Sequence, residues 1–272
     1  MTSSIINVDY RGRIAVVSID NAKKLNVLSQ RQYFELASRM REIATHDEVF
    51  ITVITAKGRY FSASGFDVGS NPPLPKGEDK IRLHWLQHFL AFNINITDAF
   101  ATHPKVLVVA LNGPVIGLSA SLTAFADFVY CVPDTVLFMP FASLGLVTEG
   151  GASRALVQRL GAGKAREALL MCKKITSEEL LAAGFVNKIF PCGQGEEEKF
   201  HRLVFEEIEE KLGDQLVGES LIQIKKLINK PEMEAMERQN IAEVFAGVNS
   251  LVTGLPQAEF DKISSGRKRF KL

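Results

Sequence analysis

Two stretches of this chain are apolar on both faces. Phe50 to Thr55 reads FITVIT, and Lys105 to Leu111 reads KVLVVAL, with a charge only at its first position. A strand with one face in water alternates polar and apolar residues, whereas a strand covered on both sides does not. Each stretch therefore needs a layer of other structure above it and another below. Helical patterning supplies the candidates. Ser29 to Ala44 has an apolar stripe at Tyr33, Leu36, Ala37, Met40 and Ile43, and Ser29 with Gln32 spells a capping box. The order strand, helix, strand, helix around buried strands predicts an α/β fold with parallel pairing.

The remaining elements fit around that frame. Ile5 to Tyr10 and Arg13 to Ile19 are expected as short strands joined at Arg11-Gly12. A helix is expected from about Asp79 to Thr102. Asn112-Gly113-Pro114 turns the chain after the second buried strand. Gly117 to Ala126 then reads as a helix, and Phe128 to Val132 and Val136 to Phe138 as strands. From about residue 195 the pattern becomes all helical, with segments 196–212, 216–228, 231–251 and 255–269 separated by glycine or proline. The expected organisation is an α/β core over 1–195 and a helical region over 196–272. The Glu-rich run at 196–212 reads as a solvated helix face.

Composition narrows the function. Lys+Arg is 32 against Asp+Glu 31, so no overall field favours nucleic acid or an anionic surface. No apolar run is long enough to span a membrane, and the amino terminus lacks the charged head and apolar stretch of a secretory leader. Cys131, Cys172 and Cys192 form no CxxC pair, which suits a reducing compartment. His84 and His88 stand one helical turn apart without a third ligand, so no metal is expected. Walker, GxGxxG and GxSxG patterns are absent, which argues against nucleotide and serine-hydrolase chemistry.

Chemistry is expected where buried strands end in glycine turns. Phe61-Ser62-Ala63-Ser64-Gly65-Phe66-Asp67 follows the first such strand, and Gly113 to Ser119 follows the second and opens a helix. If the two turns face each other, one backbone N–H from each could hold a carbonyl oxygen as it gains charge. The alternative is that both are simply turns. Glu149 lies in an apolar, glycine-rich stretch (FASLGLVTEGGASRAL), where a carboxyl tends towards a raised pKa and proton-shuttle chemistry. The competing expectation is a carboxylate stabilised at a helix start.

Together LNVLS, GRYFSASGFDV, LNGPVIGLSASLTAFADFVYC and PFASLGLVTEGGASRAL resemble the crotonase (enoyl-CoA hydratase/isomerase) family, and within it the fungal peroxisomal Δ3,Δ2-enoyl-CoA isomerases. The resemblance implies a spiral of ββα units with a helical trimerisation region at the carboxyl end. It implies an acyl-CoA thioester substrate, no separate cofactor, and a homotrimer or homohexamer. It places Phe66 and Leu118 as the backbone N–H donors of an oxyanion hole and Glu149 as the acid/base. Ser64, Gly65, Asp67, Gly117 and Asn93 would line the substrate. The first loop has three residues between Phe61 and Gly65 where the family spells two, so Ser64, Gly65 and Phe66 all remain candidates for that donor. Hydratases of the family carry a second glutamate three residues after the second donor, and here that position is Ser121. The resemblance thus favours isomerisation. Dienoyl-CoA isomerase, hydratase, thioesterase and a non-catalytic acyl-CoA binder stand as alternatives. Lys80 and Arg82 follow a Pro-rich segment (Ser70 to Gly77) where the family binds CoA phosphates. The final Phe270-Lys271-Leu272 is an imperfect match to a peroxisomal import signal, with the cytoplasm as the other expected location.

Overall fold

Alternate residues of the central strands part to opposite faces, and each face meets its own hydrophobic layer. In β4 (Val106–Leu111), Leu107, Val109 and Leu111 join one core, while Val106, Val108 and Ala110 join the other. That is why the stretch shows no polar alternation. The structure is a computed structural model and describes residues 4–63 and 75–268.

Strand β3 (Ile51–Ala56) pairs in parallel with β4, Ile51 opposite Val106. On its other side lies β2 (Ile14–Ile19), also parallel. The edge strand β1 (Ile6–Arg11) returns antiparallel to β2 through a turn at Gly12. Beyond β4 come β6 (Phe128–Cys131) and β9 (Lys188–Ile189), both parallel, giving the order β1-β2-β3-β4-β6-β9. A smaller sheet pairs β5 (Val115–Ile116), β7 (Val136–Phe138) and β8 (Ile175–Thr176).

Helix α1 (Gln30–Ala44) covers the first face, with all five residues of its apolar stripe buried. Ser29 caps it, and Gln32 returns the bond to the Ser29 N–H. The expected helix from 79 to 102 is split. It runs as α2 (Glu78–Trp85), a π-helical turn at Leu86–Leu90, and α3 (Ala91–Ala101). The extra residue per turn frees backbone carbonyls, and Gln30 Nε2 donates to that of His88. Helix α4 (Leu118–Thr123) is shorter than expected. Between residues 152 and 195 the chain forms α5 (Ala152–Leu170), broken at Gly161, then β8, α6 (Ser177–Ala182) and β9.

Four helices follow: α7 (Glu197–Leu212), α8 (Gly218–Asn229), α9 (Met233–Val252) and α10 (Leu255–Ser264). The change of pattern near 195 marks the end of the described strands and not the end of the sheet's packing. Phe200, Val204, Ile208 and Leu212 of α7 form the layer under β2, β3 and β4.

Candidate active site

The segment that leads into the first glycine turn lies beside the second turn. Phe61 N–H donates to the Pro114 carbonyl at 3.0 Å, and Ile116 N–H returns to the Ser62 carbonyl at 3.0 Å. Ser62 and Val115 thereby form a parallel bridge. This approach requires glycine at 113, because a Cβ there would sit 2.2 Å from the Arg59 carbonyl oxygen. Side chains reinforce the contact. Ser119 donates to Ser62 Oγ at 3.0 Å and meets the Tyr33 hydroxyl at 2.7 Å, and Ser62 Oγ bonds the Asn26 carbonyl at 3.1 Å. Residues Ser64, Gly65, Phe66 and Asp67 lie outside the described residues.

The second turn ends at Gly117, whose φ of 64° brings the chain into α4 with Leu118 at the first helical position. The opening amides of a helix have no acceptor within it. Leu118 and Ser121 are both buried. Against them lies the turn that carries the candidate acid/base. Gly150, at φ 72°, comes so close that a Cβ would stand 2.7 Å from Leu118 Cδ1 and 2.9 Å from Ser121 Cβ. The structure thus brings Gly117, Leu118 and the Glu149 turn together.

Glu149 is partly buried and accepts a hydrogen bond from Asn93 Nδ2 at 2.7 Å. Asn93 itself is fully buried on α3, and its Oδ1 has no partner among the described residues. Loss of hydration pushes the Glu149 carboxyl up to about 8; the negative charge of Glu243 adds to the rise, and the Asn93 bond opposes it. A carboxylate so placed is a stronger base than an ordinary surface glutamate.

Helix-start stabilisation, the competing expectation for Glu149, falls to another residue. Helix α5 begins at the N-cap Gly151, and the carboxylate that meets it is Glu243 of α9. Glu243 accepts from Gly151 N–H at 2.8 Å and from Ser153 N–H at 2.7 Å. Sequence reasoning missed Glu243 as part of this site. A signal existed: it occupies the buried stripe of α9 with Met236, Asn240, Val244 and Gly247, where a charged residue needs a partner. Tyr33 was expected only as core, yet its hydroxyl belongs to this polar network.

Arg82 Nη1 donates to Asn249 Oδ1 at 2.9 Å, and Lys80 is exposed. The rings of His84 and His88 lie 4.6 Å apart, and among the described residues no cluster of His, Cys, Asp or Glu could hold a metal ion. No helix of the described residues is long and apolar enough to cross a membrane.

Comparison with known proteins decides the family, because residues 9–249 match the family model described as enoyl-CoA hydratase/isomerase. The chain belongs to the crotonase family. Among its crotonase relatives, the Δ(3,5)-Δ(2,4)-dienoyl-CoA isomerase of Pyricularia oryzae is 56% identical, over 99% of this chain and 100% of the relative. The 3,2-trans-enoyl-CoA isomerase of Saccharomyces cerevisiae is 33% identical, over 97% and 96%. An enoyl-CoA hydratase/isomerase structure from Pseudoalteromonas atlantica superposes with a TM-score of 0.83 at 23% identity, covering 98% of this chain and 100% of that one. The crotonase fold expected from the sequence is therefore the fold of this chain.

Proposed function

We propose that this crotonase is an enoyl-CoA isomerase that moves the double bond of a 3-enoyl-CoA to position 2. The observation that carries the reading is Glu149, a carboxylate turned to Asn93 beside the start of α4. In this reading the thioester oxygen rests on the Leu118 N–H and on one amide from Ser64 to Phe66. Glu149 takes a proton from C2, the electrons move onto the thioester oxygen as a dienolate, and the same carboxyl returns the proton to C4. Each backbone donor is worth about 10²–10³ in rate. Nothing is oxidised or reduced, so the chemistry calls for no cofactor beyond the CoA of the substrate. Ser121, where a hydratase would carry its second glutamate, is buried and bonds weakly to the Gly117 carbonyl at 3.4 Å. It offers no charge to activate water.

A second reading has its own support. The relative at 56% identity is named a dienoyl-CoA isomerase. Moving a proton from C2 to C6 of a 3,5-dienoyl-CoA spans four bonds rather than two, a reach that one fixed carboxyl covers poorly. Glu243 is the second buried carboxylate nearby, but two backbone amides engage it. The test is turnover of 3-enoyl-CoA, 3,5-dienoyl-CoA and 2-enoyl-CoA by the purified protein. The expected result is a kcat/KM for 3-enoyl-CoA about tenfold or more above that for 3,5-dienoyl-CoA, with no hydration of 2-enoyl-CoA. The reverse order assigns the dienoyl reaction, and no turnover of any leaves an acyl-CoA binder.

The location proposed with this reading is the peroxisome; Phe270-Lys271-Leu272, the imperfect match to the tripeptide an import receptor reads, lie outside the described residues. A mouse relative at 28% identity is named peroxisomal. Exposed Ile224, Leu227 and Ile228 on α8 are consistent with contacts in a homotrimer or homohexamer.

A further inference from the structure

Helix α5 begins without a cap of its own. Its N-cap is Gly151, which has no side chain, and Gly150 precedes it. The nearest carboxylate in sequence is Glu149, two residues before the N-cap. Helix starts attract acidic side chains through their unpaired amides and the positive end of the helix dipole. By local rules Glu149 belongs on that helix.

It is instead turned away, and the structure shows what stands in its place. Glu243 reaches in from α9 and spans two amides with its two oxygens, Oε2 on Gly151 N–H at 2.8 Å and Oε1 on Ser153 N–H at 2.7 Å. Gln239, one turn earlier on α9, donates to the Ser153 hydroxyl at 2.8 Å and holds the same corner. Helix α9 also packs against α3, the helix that carries Asn93. A single helix thus braces both partners of the Glu149–Asn93 hydrogen bond.

We propose that Glu243 is a positioning residue for the reaction: by occupying the start of α5 it denies those amides to Glu149 and leaves the Glu149 carboxylate to Asn93 and the cleft. This rests on the reading of Glu149 as the acid/base. The titratable groups bearing on Glu149 are Glu243 from α9 and the phenol of Tyr33 from α1, with Asn93 of α3 as its hydrogen-bond donor. Tyr33 is fully buried and its ionisation is pushed far upward, so it stays neutral. Of these two groups, Glu243 is the one that bears a charge on Glu149.

The test is Glu243→Gln in the full-length enzyme, assayed for kcat, KM and the pH dependence of kcat/KM. The glutamine loses the charge and can accept from only one of the two amides. Glu149 is then drawn towards the freed amide. The expected result is a fall in kcat of about 30- to 100-fold, as small displacements of a catalytic group produce, with KM within about threefold. The acid limb of kcat/KM moves to lower pH, because the repelling charge is gone and a backbone donor is gained. A kcat within twofold of wild type overturns the proposal, and so does a lower kcat with the acid limb in place, which marks Glu243 as purely structural. Should Glu243→Gln not fold, Glu243→Asp replaces it. That variant keeps the charge but loses reach, so the freed amide draws Glu149: kcat falls and the acid limb still moves to lower pH, whereas unchanged kcat, or a lower kcat with the limb in place, overturns the proposal.

A substrate-free measurement separates this proposal from the isomerase reading. At pH 9, Glu149→Gln relieves the repulsion from Glu243 and raises the thermal midpoint. In the Glu243→Gln background the same substitution is expected to raise it by less than half as much. Equal shifts show that the two carboxylates do not interact and overturn the proposal whatever reaction the enzyme performs.

Discussion

Both ends of the central strands bury polar and charged groups, and they do so in opposite ways. At the amino-terminal end, Lys225 of α8 donates to the Lys105 carbonyl at 2.8 Å and to Asp127 Oδ2 at 2.7 Å. The same Asp127 oxygen accepts from Leu107 N–H at 2.7 Å. Lys105 reaches the His46 carbonyl at 2.7 Å, and His103 pairs with Thr52 at 2.8 Å. Burial, with the two lysines nearby, drives the His103 pKa down to about 3, so it stays neutral. At the carboxyl-terminal end, Asn93 Oδ1 and Thr148 Oγ1 are buried without a partner among the described residues, and so is Thr97 Oγ1, one turn beyond Asn93 on α3. A buried polar atom left unpaired costs about 1–3 kcal/mol. The closed end spends its charges on holding helix to sheet, with Arg13 Nη1 on the Gly213 and Leu216 carbonyls, although Arg13 Nε and Nη2 are buried there without a partner among the described residues. The open end keeps capacity in reserve, at the end of parallel strands where α/β folds take their ligands.

That contrast can be broken in three ways. The largest effect is expected at the open end. Glu149→Gln should fold, bind acyl-CoA with KM within about threefold, and lose about 10³ in kcat. Wild-type turnover would show that the open end is not where the chemistry occurs. At the closed end, Lys225→Met leaves Asp127 and the Lys105 carbonyl without their cation. Urea unfolding should register a loss of about 3 kcal/mol, with kcat per folded molecule unchanged. A loss of activity without a loss of stability would erase the distinction between the ends.

The smallest effect tests the Asn93 bond. Asn93→Leu removes a donor that favours the charged carboxylate, so the Glu149 pKa rises further. Activity that depends on the carboxylate should then fall about tenfold at pH 7 and recover as pH is raised past the new value. The acid limb of kcat/KM would move upward, opposite to the shift expected for Glu243→Gln. A uniform loss at every pH would mean that Asn93 only orients the group.

The layers and the turns were legible in the chain. FITVIT and KVLVVAL became the adjacent strands β3 and β4, and Ser29 with Gln32 capped α1. Gly117, Leu118 and Glu149 met in space, and Asn93, picked out only by family resemblance, proved to be the partner of Glu149. The stretch from 152 to 195 was harder. Helix α5 contains Gly161 and Gly163, which blur its periodicity, and β8 and β9 have only two residues each. The capping box of Thr176 and Glu179 is the one local mark of α6 in that stretch. The π-helical turn has no local sequence mark; it lies between α2 and α3 where all three pack on α9 and α3 also packs on α1.

The sequence alone determined that two strands would be covered on both faces, that glycine-bearing segments would follow them, and that one carboxylate, Glu149, would stand in an apolar, glycine-rich stretch. These follow from residue type and short-range spacing. Only the tertiary structure decided what each carboxylate does. Glu149 and Glu243 compete for the same helix start, and the winner lies 92 residues from Gly151 in sequence. Electrostatics and hydrogen bonding act through space, so the choice depended on where α9 came to rest.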